Sequence, residues 1–86
     1  MENDGWELIP YHMQGAMRNW IERGWEPGSF LKAVLENDLF SAVSRADDVN
    51  RNRLMDYVRF LYNYAPADCY GSPENVRQWK KRFVEK

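Results

Sequence analysis

Hydrophobic residues recur at intervals of three and four along most of this chain, as expected for helices that bury one face. Between positions 11 and 23, the residues on this face are Met13, Met17, Trp20 and Ile21. Gly24 follows the segment and can adopt the left-handed conformation that ends many helices. The pattern therefore predicts a first helix over residues 10–23.

Two shorter helices are predicted next, over residues 30–36 and 39–46. Ser29 is a favourable N-cap for the second helix of the chain. Asn37 can end that helix in the left-handed region, and Asp38 can cap the third helix. A single continuous helix through these two residues is the alternative interpretation.

The fourth and longest helix is predicted to begin at Asp47 or Asp48 and to end near Tyr64. Its expected buried stripe consists of Leu54, Tyr57, Val58, Leu61 and Ala65. The last helix opens with the favourable sequence Ser-Pro-Glu at 72–74. The residues expected to face the core from this helix are Val76, Trp79 and Phe83.

These patterns indicate an all-α protein, because no segment alternates apolar and polar residues long enough to form a convincing strand. Eighty-six residues suffice for one core only. We therefore predict a compact single domain of four to five helices over residues 10–86. Residues 1–9 are predicted to form a flexible N-terminal tail.

The charge of the chain is nearly balanced, with 12 basic and 13 acidic side chains. A general nucleic-acid or membrane binder would require a basic excess, so both classes are disfavoured. No segment approaches the roughly 18 apolar residues of a membrane span, and the acidic start is unlike a signal peptide. We expect a soluble cytoplasmic protein, and a homo-oligomer because a single small core provides limited stability.

The one cysteine, Cys69, lies in the stretch A-P-A-D-C-Y-G-S-P-E-N at 65–75. Helix-ending and helix-starting residues account for most of this stretch, and the only histidine available as a base is His12. We interpret Cys69 as a small buried hydrophobe. One Cys and one His are too few for a structural zinc site, and no nucleophile or phosphate-loop motif occurs. We predict no enzyme activity, no catalytic residue, no metal and no cofactor.

The candidate ligand-binding residues begin in the stretch W-E-P-G-S-F at 25–30. Gly28 allows close approach of the backbone, Ser29 begins a helix whose free N–H groups attract anions, and Trp25 offers a stacking surface. Arg45 is a further candidate, together with Arg51 and Arg53, because guanidinium groups bind phosphate bidentately. Ordinary capping at Ser29 is the alternative that this stretch leaves open.

Two neighbouring residues of the predicted long helix complete the candidate site. Asn63 is costly to bury without hydrogen bonds, so it is a candidate for a polar site with Tyr62 or His12. A satisfied core asparagine or an exposed one explains the sequence equally well. The pair of short helices also invites a helix-turn-helix interpretation, but its second helix carries one basic residue, Arg45, and is poorly equipped for DNA.

Several short motifs recur together in this chain: I-P-Y-H-M (9–13), W-I-E-R-G-W-E-P-G-S-F-L-K-A-V-L-E-N-D-L (20–39), R-A-D-D-V-N (45–50), F-L-Y-N-Y-A-P (60–66) and C-Y-G-S-P-E-N-V-R-Q-W (69–79). In this combination and order the chain resembles a group of small proteins from tailed phages and prophages. The resemblance covers residues 9–79, and Tyr70 stands where the group has Trp. It implies a phage origin and carries no activity with it.

A phage origin favours accessory functions directed at the host. By analogy with other small helical phage oligomers, the leading hypothesis is a non-enzymatic protein that counters host defence by sequestering a nucleotide-like signalling molecule. Its expected contacts are Trp25, Gly28, Ser29, Arg45, Tyr62 and Asn63. The alternative is a protein–protein inhibitor of a host factor that uses an exposed aromatic patch, including Trp6, Tyr70 or Trp79. A small DNA-binding regulator is the third hypothesis, and all three act in the host cytoplasm.

Overall fold

The computed structural model describes residues 4–84, and in that range every regular element is helical. The α-helices are α1 (Tyr11–Arg23), α2 (Ser29–Leu35), α3 (Leu39–Arg45), α4 (Asp48–Asn52), α5 (Leu54–Tyr64) and α6 (Pro73–Val84). Two short 3₁₀-helices span Trp6–Leu8 and Ala67–Cys69. The radius of gyration is 12.2 Å, close to the roughly 12 Å of a compact chain of this length. The prediction of a small all-α domain is confirmed.

The helix ends follow the local signals in the sequence at most positions. Gly24 ends α1 with φ at 68°, and Asn37 separates α2 from α3 with φ at 64°. Asp38 caps α3 by accepting a hydrogen bond from the backbone N–H of Ser41 at 3.2 Å. The interpretation of α2 and α3 as two helices is therefore correct. At α2 the N-cap is Gly28, and the predicted cap Ser29 is the first helical residue instead.

The predicted long helix from residue 47 or 48 to 64 is divided into α4 and α5 at Arg53. The backbone of Arg53 is non-helical, with φ at −108° and ψ at 12°. Three hydrogen bonds hold the Arg53 side chain in place: it donates to Asp56 at 2.6 Å and to the carbonyl oxygens of Glu7 and Leu8 at 3.1 Å. Because of this break, residues 4–84 contain six α-helices, where the sequence predicts four to five.

The prediction of a flexible tail over residues 1–9 is wrong for residues 5–9. Ile9 is buried, and the ring of Trp6 packs against Phe60 with 4.7 Å between centroids. The side-chain amide of Gln14 donates to the carbonyl oxygens of Trp6 and Ile9. The apolar residues of this segment therefore belong to the core. The segment is too short for a hydrophobic repeat in the sequence to indicate this. Residues 1–3 lie outside the described residues.

The core is formed mainly by the faces that the helical spacing predicts. The buried apolar residues are Ile9, Met17, Trp20, Phe30, Leu31, Ala33, Leu35, Ala42, Ala46, Tyr57, Phe60, Leu61, Cys69, Val76 and Trp79. Val58 is an exception, because it is 49% exposed although the spacing assigns it to the buried stripe of α5. The buried residues of α5 are Tyr57, Phe60 and Leu61.

Candidate functional site

A cavity with a volume of about 390 Å³ lies between α2 and α3. We refer to it as the α2–α3 cavity. Its polar lining consists of Glu26, Ser29, Lys32, Glu36, Asp38, Ser41 and Arg45. Two of the predicted ligand contacts, Ser29 and Arg45, therefore lie on the same cavity. The spacing of three and four residues along each helix turns these side chains toward a common space.

Arg45 is the one arginine among the described residues that has no hydrogen bond, ion pair or aromatic ring as a partner. Arg51 donates to Asp48 at 3.0 Å and to the carbonyl oxygen of Ala46 at 2.8 Å, and the contacts of Arg53 are given above. The sequence offered all three as phosphate ligands, but Arg51 and Arg53 are engaged in holding the fold. Only Arg45 presents its donors to the solvent side of a cavity.

Glu26 carries two ion pairs at the edge of the α2–α3 cavity. Its Oε2 lies 2.9 Å from the Nζ of Lys32, and its Oε1 lies 2.9 Å from the Nζ of Lys80. The hydrogen bond from Lys80, followed by the one from Lys32, lowers the pKa of Glu26 to about 2. The hydrogen bond to Glu26 in turn raises the pKa of Lys32. Glu26 and Lys32 are therefore both ionised at neutral pH.

A second cavity of about 240 Å³ lies between α2 and α6. It shares Glu26, Lys32 and Glu36 with the α2–α3 cavity, and its lining also includes Arg77 and Lys80. We refer to it as the α2–α6 cavity. The Glu26–lysine ion pairs therefore stand at the boundary between two adjoining polar cavities.

The charges around the α2–α3 cavity are mixed. Lys32 and Arg45 supply positive charge, whereas Glu26, Glu36 and Asp38 supply negative charge. Glu26 is matched by its two lysines, so the remaining carboxylates are those of Glu36 and Asp38. A purely polyanionic ligand would be repelled by these two groups. The arrangement suits a molecule with an anionic group for Arg45 and N–H donors for the acids.

The other predicted ligand contacts do not join this site. Trp25 is 56% exposed and stacks with the guanidinium of Arg23 at 5.0 Å from the ring centroid. Gly28 precedes Ser29 but is absent from the cavity lining. Tyr62 lies on a different surface, on α5. Its neighbour Asn63 is exposed and donates to the carbonyl oxygen of Arg59 at 3.0 Å. Within one copy of the chain, these four residues therefore do not line the cavity that Ser29 and Arg45 share.

Tyr62 belongs to an apolar groove, which consists of two hollows of about 200 and 60 Å³ that share Val34, Asn37 and Val58. Leu39 continues the groove on α3, where 59% of it is exposed. Tyr62 is 79% exposed. Asp38 is the only charged residue in the lining of either hollow. An exposed apolar groove with this composition is typical of a surface that contacts another macromolecule.

The aromatic residues proposed for a protein-binding patch are distributed differently from the prediction. Trp79 is buried, and its indole N–H is used within the core. Trp6 is half-buried between Phe60 and the guanidinium of Arg18, which lies 4.3 Å from its ring centroid. Tyr70 lines the apolar groove. Of the three, only Tyr70 therefore lies on an accessible apolar surface.

The interpretation of Cys69 as a buried hydrophobe is confirmed. The residue is fully buried, and burial raises the pKa of its thiol to about 12. A thiol with that pKa is protonated at neutral pH and is a poor nucleophile. His12 is exposed and pairs with Asp47 at 3.4 Å. Within residues 4–84, no cluster of three or more His, Cys, Asp or Glu side chains is arranged to hold a metal ion.

Sequence reasoning missed the acidic and hydroxyl groups of the cavity, which are Glu26, Glu36, Asp38 and Ser41. The signal was present in the helical spacing, since positions 29, 32 and 36 share a face of α2 and positions 38, 41 and 45 share a face at α3. What the spacing could not indicate is that these two faces meet. Asp38 is the N-cap of α3, as the sequence predicts, and it lines the cavity as well.

Comparisons with protein-family models, with curated proteins and with solved structures produced no match to this chain. None of the helices between residues 4 and 84 combines the length and the apolar character that crossing a membrane requires.

Proposed function

We propose that this chain is a non-enzymatic phage accessory protein that binds a nucleotide-like signalling molecule of the host in the α2–α3 cavity. The observation that supports this function is the meeting of Ser29 and the unpartnered Arg45 at one cavity of about 390 Å³. A volume of this size lies within the range of small-molecule sites. Sequestration in the host cytoplasm would counter a defence system that depends on the molecule.

The cavity chemistry narrows the class of ligand. The guanidinium of Arg45 can donate two parallel N–H hydrogen bonds to two oxygens of one phosphate group. The hydroxyls of Ser29 and Ser41 can form further hydrogen bonds. The carboxylates of Glu36 and Asp38 accept hydrogen bonds, as the amino group of a purine or cytosine base requires. A nucleotide carries both kinds of group, whereas inorganic polyphosphate carries only the anionic kind. We therefore favour a ligand with few phosphates and an amino-bearing base.

Native mass spectrometry of the protein, purified gently from phage-infected cells, is the first test of this function. A retained species in the mass range of a nucleotide supports the proposal, and the absence of any retained small molecule argues against it. Titration calorimetry with AMP and with a cyclic dinucleotide then measures affinity. We expect Arg45→Gln to weaken binding at least about tenfold, because a charge-assisted hydrogen bond to an anion is lost.

A matched control for this substitution is available on α5. Arg59 is exposed like Arg45, but it pairs with Asp56 at 3.2 Å and lines neither polar cavity. Arg59→Gln removes the same charge from the protein and should leave nucleotide affinity within about twofold of the wild type, because surface charges at a distance are screened. Equal losses for the two variants would contradict a specific role for Arg45.

Copies of the chain associate, in this proposal, through the apolar groove. Asp38 is the one charged residue in the groove lining, so two copies of the groove face each other with little like-charge repulsion. The interfaces of homodimers are also more apolar than those of transient complexes. Leu39, Val58 and Tyr62 are the exposed residues that would be covered. This use of the groove explains why side chains of this kind remain at the surface of a small domain.

Analytical ultracentrifugation tests the association. We expect Val58→Asp to convert an oligomer to a monomer, because association would bury an unpaired carboxylate from each copy. Val84→Asp is the control, since Val84 is 74% exposed near the end of α6 and lies outside the groove. A wild-type protein that stays monomeric contradicts self-association. Binding of a host protein to the groove, which Val58→Asp would abolish, would then support the inhibitor function.

A further inference from the structure

We infer that the Glu26 carboxylate occupies the binding position of a second anionic group of the ligand, and that the ligand displaces it from Lys32 and Lys80. This inference rests on the proposed function, because it concerns the same ligand. It extends the site across the boundary between the two polar cavities and assigns it two anion-binding centres. The ligand class becomes a molecule with two separated phosphate groups, such as a dinucleotide.

The first argument is geometric. The two lysines come from different helices, α2 and α6, and each binds one oxygen of the same carboxylate at 2.9 Å. A carboxylate and two non-bridging phosphate oxygens present similar pairs of acceptors. Two ammonium groups that converge on a carboxylate can therefore accept a phosphate at the same place.

The second argument comes from the cavities. Glu26, Lys32 and Glu36 are the only residues that line both cavities, so the ion pairs separate one cavity from the other. Displacement of the Glu26 side chain would join the cavities and leave Arg45 at one end and Lys80 with Arg77 at the other. The cavities that would be joined measure about 390 and 240 Å³, and ligand sites commonly occupy several hundred Å³.

The third argument is electrostatic. Lys32 and Lys80 would repel each other if no anion lay between them. The Glu26 carboxylate supplies that anion in the free protein, and it remains ionised throughout the neutral pH range. A phosphate group carries at least as much negative charge as a carboxylate, so the lysine pair keeps a matching anion after the exchange.

The position of Glu26 in the chain allows the exchange. Glu26 lies on the exposed loop between α1 and α2, next to exposed Trp25 and Gly28. Ion pairs between exposed groups are weak, and more than a third of the Glu26 side chain is exposed. Rotation of this one side chain frees both lysines and requires no rearrangement of the core.

Titration calorimetry with inorganic pyrophosphate and with a cyclic dinucleotide tests the inference. We expect Glu26→Gln to bind both probes about tenfold more tightly than the wild type, because the competing carboxylate no longer reduces the fraction of binding-competent protein. Glu22→Gln is the control. It removes the same charge from an exposed ion pair, with Arg18, but Glu22 lines neither polar cavity, so we expect affinity within about twofold of the wild type.

A second readout follows the displaced group directly. The pKa of Glu26, measured from its carboxyl carbon chemical shift, should rise toward the ordinary value of 4.5 when pyrophosphate is bound, because both lysines have left the carboxylate. An unchanged pKa in the bound protein would overturn the inference. Unchanged or weaker binding by Glu26→Gln, or an equal gain for Glu22→Gln, would do the same.

These experiments separate the inference from the proposed function. If Arg45→Gln weakens dinucleotide binding while Glu26→Gln leaves it unchanged, the function stands and displacement of Glu26 is wrong. If Glu26→Gln tightens pyrophosphate binding but no nucleotide binds to either protein, displacement stands and the nucleotide function is wrong. If neither probe binds to any variant, both are wrong.

Discussion

The indole N–H of Trp79 donates to the main-chain carbonyl oxygen of Trp20, with 3.0 Å between nitrogen and oxygen. The indole N–H of Trp20 donates in turn to the carbonyl oxygen of Cys69, also over 3.0 Å. All three residues are buried. The two hydrogen bonds connect α1, α6 and the second 3₁₀-helix. Each indole ring therefore fills volume in the core and also satisfies a buried carbonyl oxygen.

Substitution of Trp79 by Phe tests this connection. We expect Trp79→Phe to lower the free energy of unfolding by about 1–3 kcal/mol, because one buried hydrogen bond is lost and the smaller ring leaves a void. Trp25→Phe is the control, since Trp25 is 56% exposed, and it should change stability by less than about 0.5 kcal/mol. Urea unfolding followed by circular dichroism measures both, and equal effects would contradict the role of Trp79.

The hydroxyl of Tyr57 provides a second test in the core. It donates to the Oδ1 of Asn50 at 2.7 Å, and Asn50 is the one polar residue buried among the described residues. Tyr57→Phe leaves the amide oxygen without this donor and should cost about 1–3 kcal/mol of unfolding free energy. Tyr62→Phe removes an exposed hydroxyl and should be near neutral. A neutral Tyr57→Phe would indicate that water replaces the lost donor.

Substitution by alanine should change the stability of the protein in opposite directions at Gly15, within α1, and at Gly24, which ends α1. Gly24 has φ at 68°, and a Cβ there would overlap the ring of Phe83, so Gly24→Ala should destabilise the protein by about 1–3 kcal/mol. Gly15 lies within α1 with open space around it, and Gly15→Ala should stabilise the protein by about 0.5–1 kcal/mol. Thermal unfolding of the two variants measures the signs, and two equal signs would refute this explanation.

The Glu26 ion pairs predict a pH dependence of stability. The folded-state pKa of Glu26 is about 2 and its ordinary value is 4.5, so folding favours the carboxylate. The stabilisation is fully present above pH 4.5 and is lost as the pH falls toward 2. The carboxylate is partly exposed, so we expect no more than about 1 kcal/mol.

The stability difference between the wild type and Glu26→Gln isolates this contribution. Urea unfolding at pH 6, 4 and 3 should give a difference that decreases as the pH falls, and the difference at pH 6 should also decrease when salt screens the pairs. A difference that stays constant with pH would show that the Glu26 ion pairs make no net contribution to folding.

The sequence was a good guide where structure depends on neighbouring residues. The ends of α1, α2 and α3 at Gly24, Asn37 and Asp38 depend on backbone preferences and on hydrogen bonds within four residues. The break at Arg53 was not predictable, because its side chain binds carbonyl groups of residues 7 and 8, more than forty positions away. The same contact holds the N-terminal segment that the sequence suggested was flexible.

The candidate site shows the same division. Ser29 and Arg45 were identified from their chemistry, and both line the α2–α3 cavity. Trp25, Tyr62 and Asn63 were identified by the same reasoning, yet they lie on other surfaces. Residue type indicates which side chain is able to bind an anion, but it carries no information on which distant residues share a cavity.

The sequence alone therefore determined the helical class, most of the helix ends and the buried faces, because each depends on short-range spacing and capping. Only the tertiary structure decided that Glu26 meets Lys80, 54 positions away. It also decided that Arg45 remains unpaired, whereas Arg51 and Arg53 have partners. Those outcomes depend on how whole helices pack, since packing brings side chains from α2, α3 and α6 to one surface. The charges available for binding are those that the packing leaves without a partner.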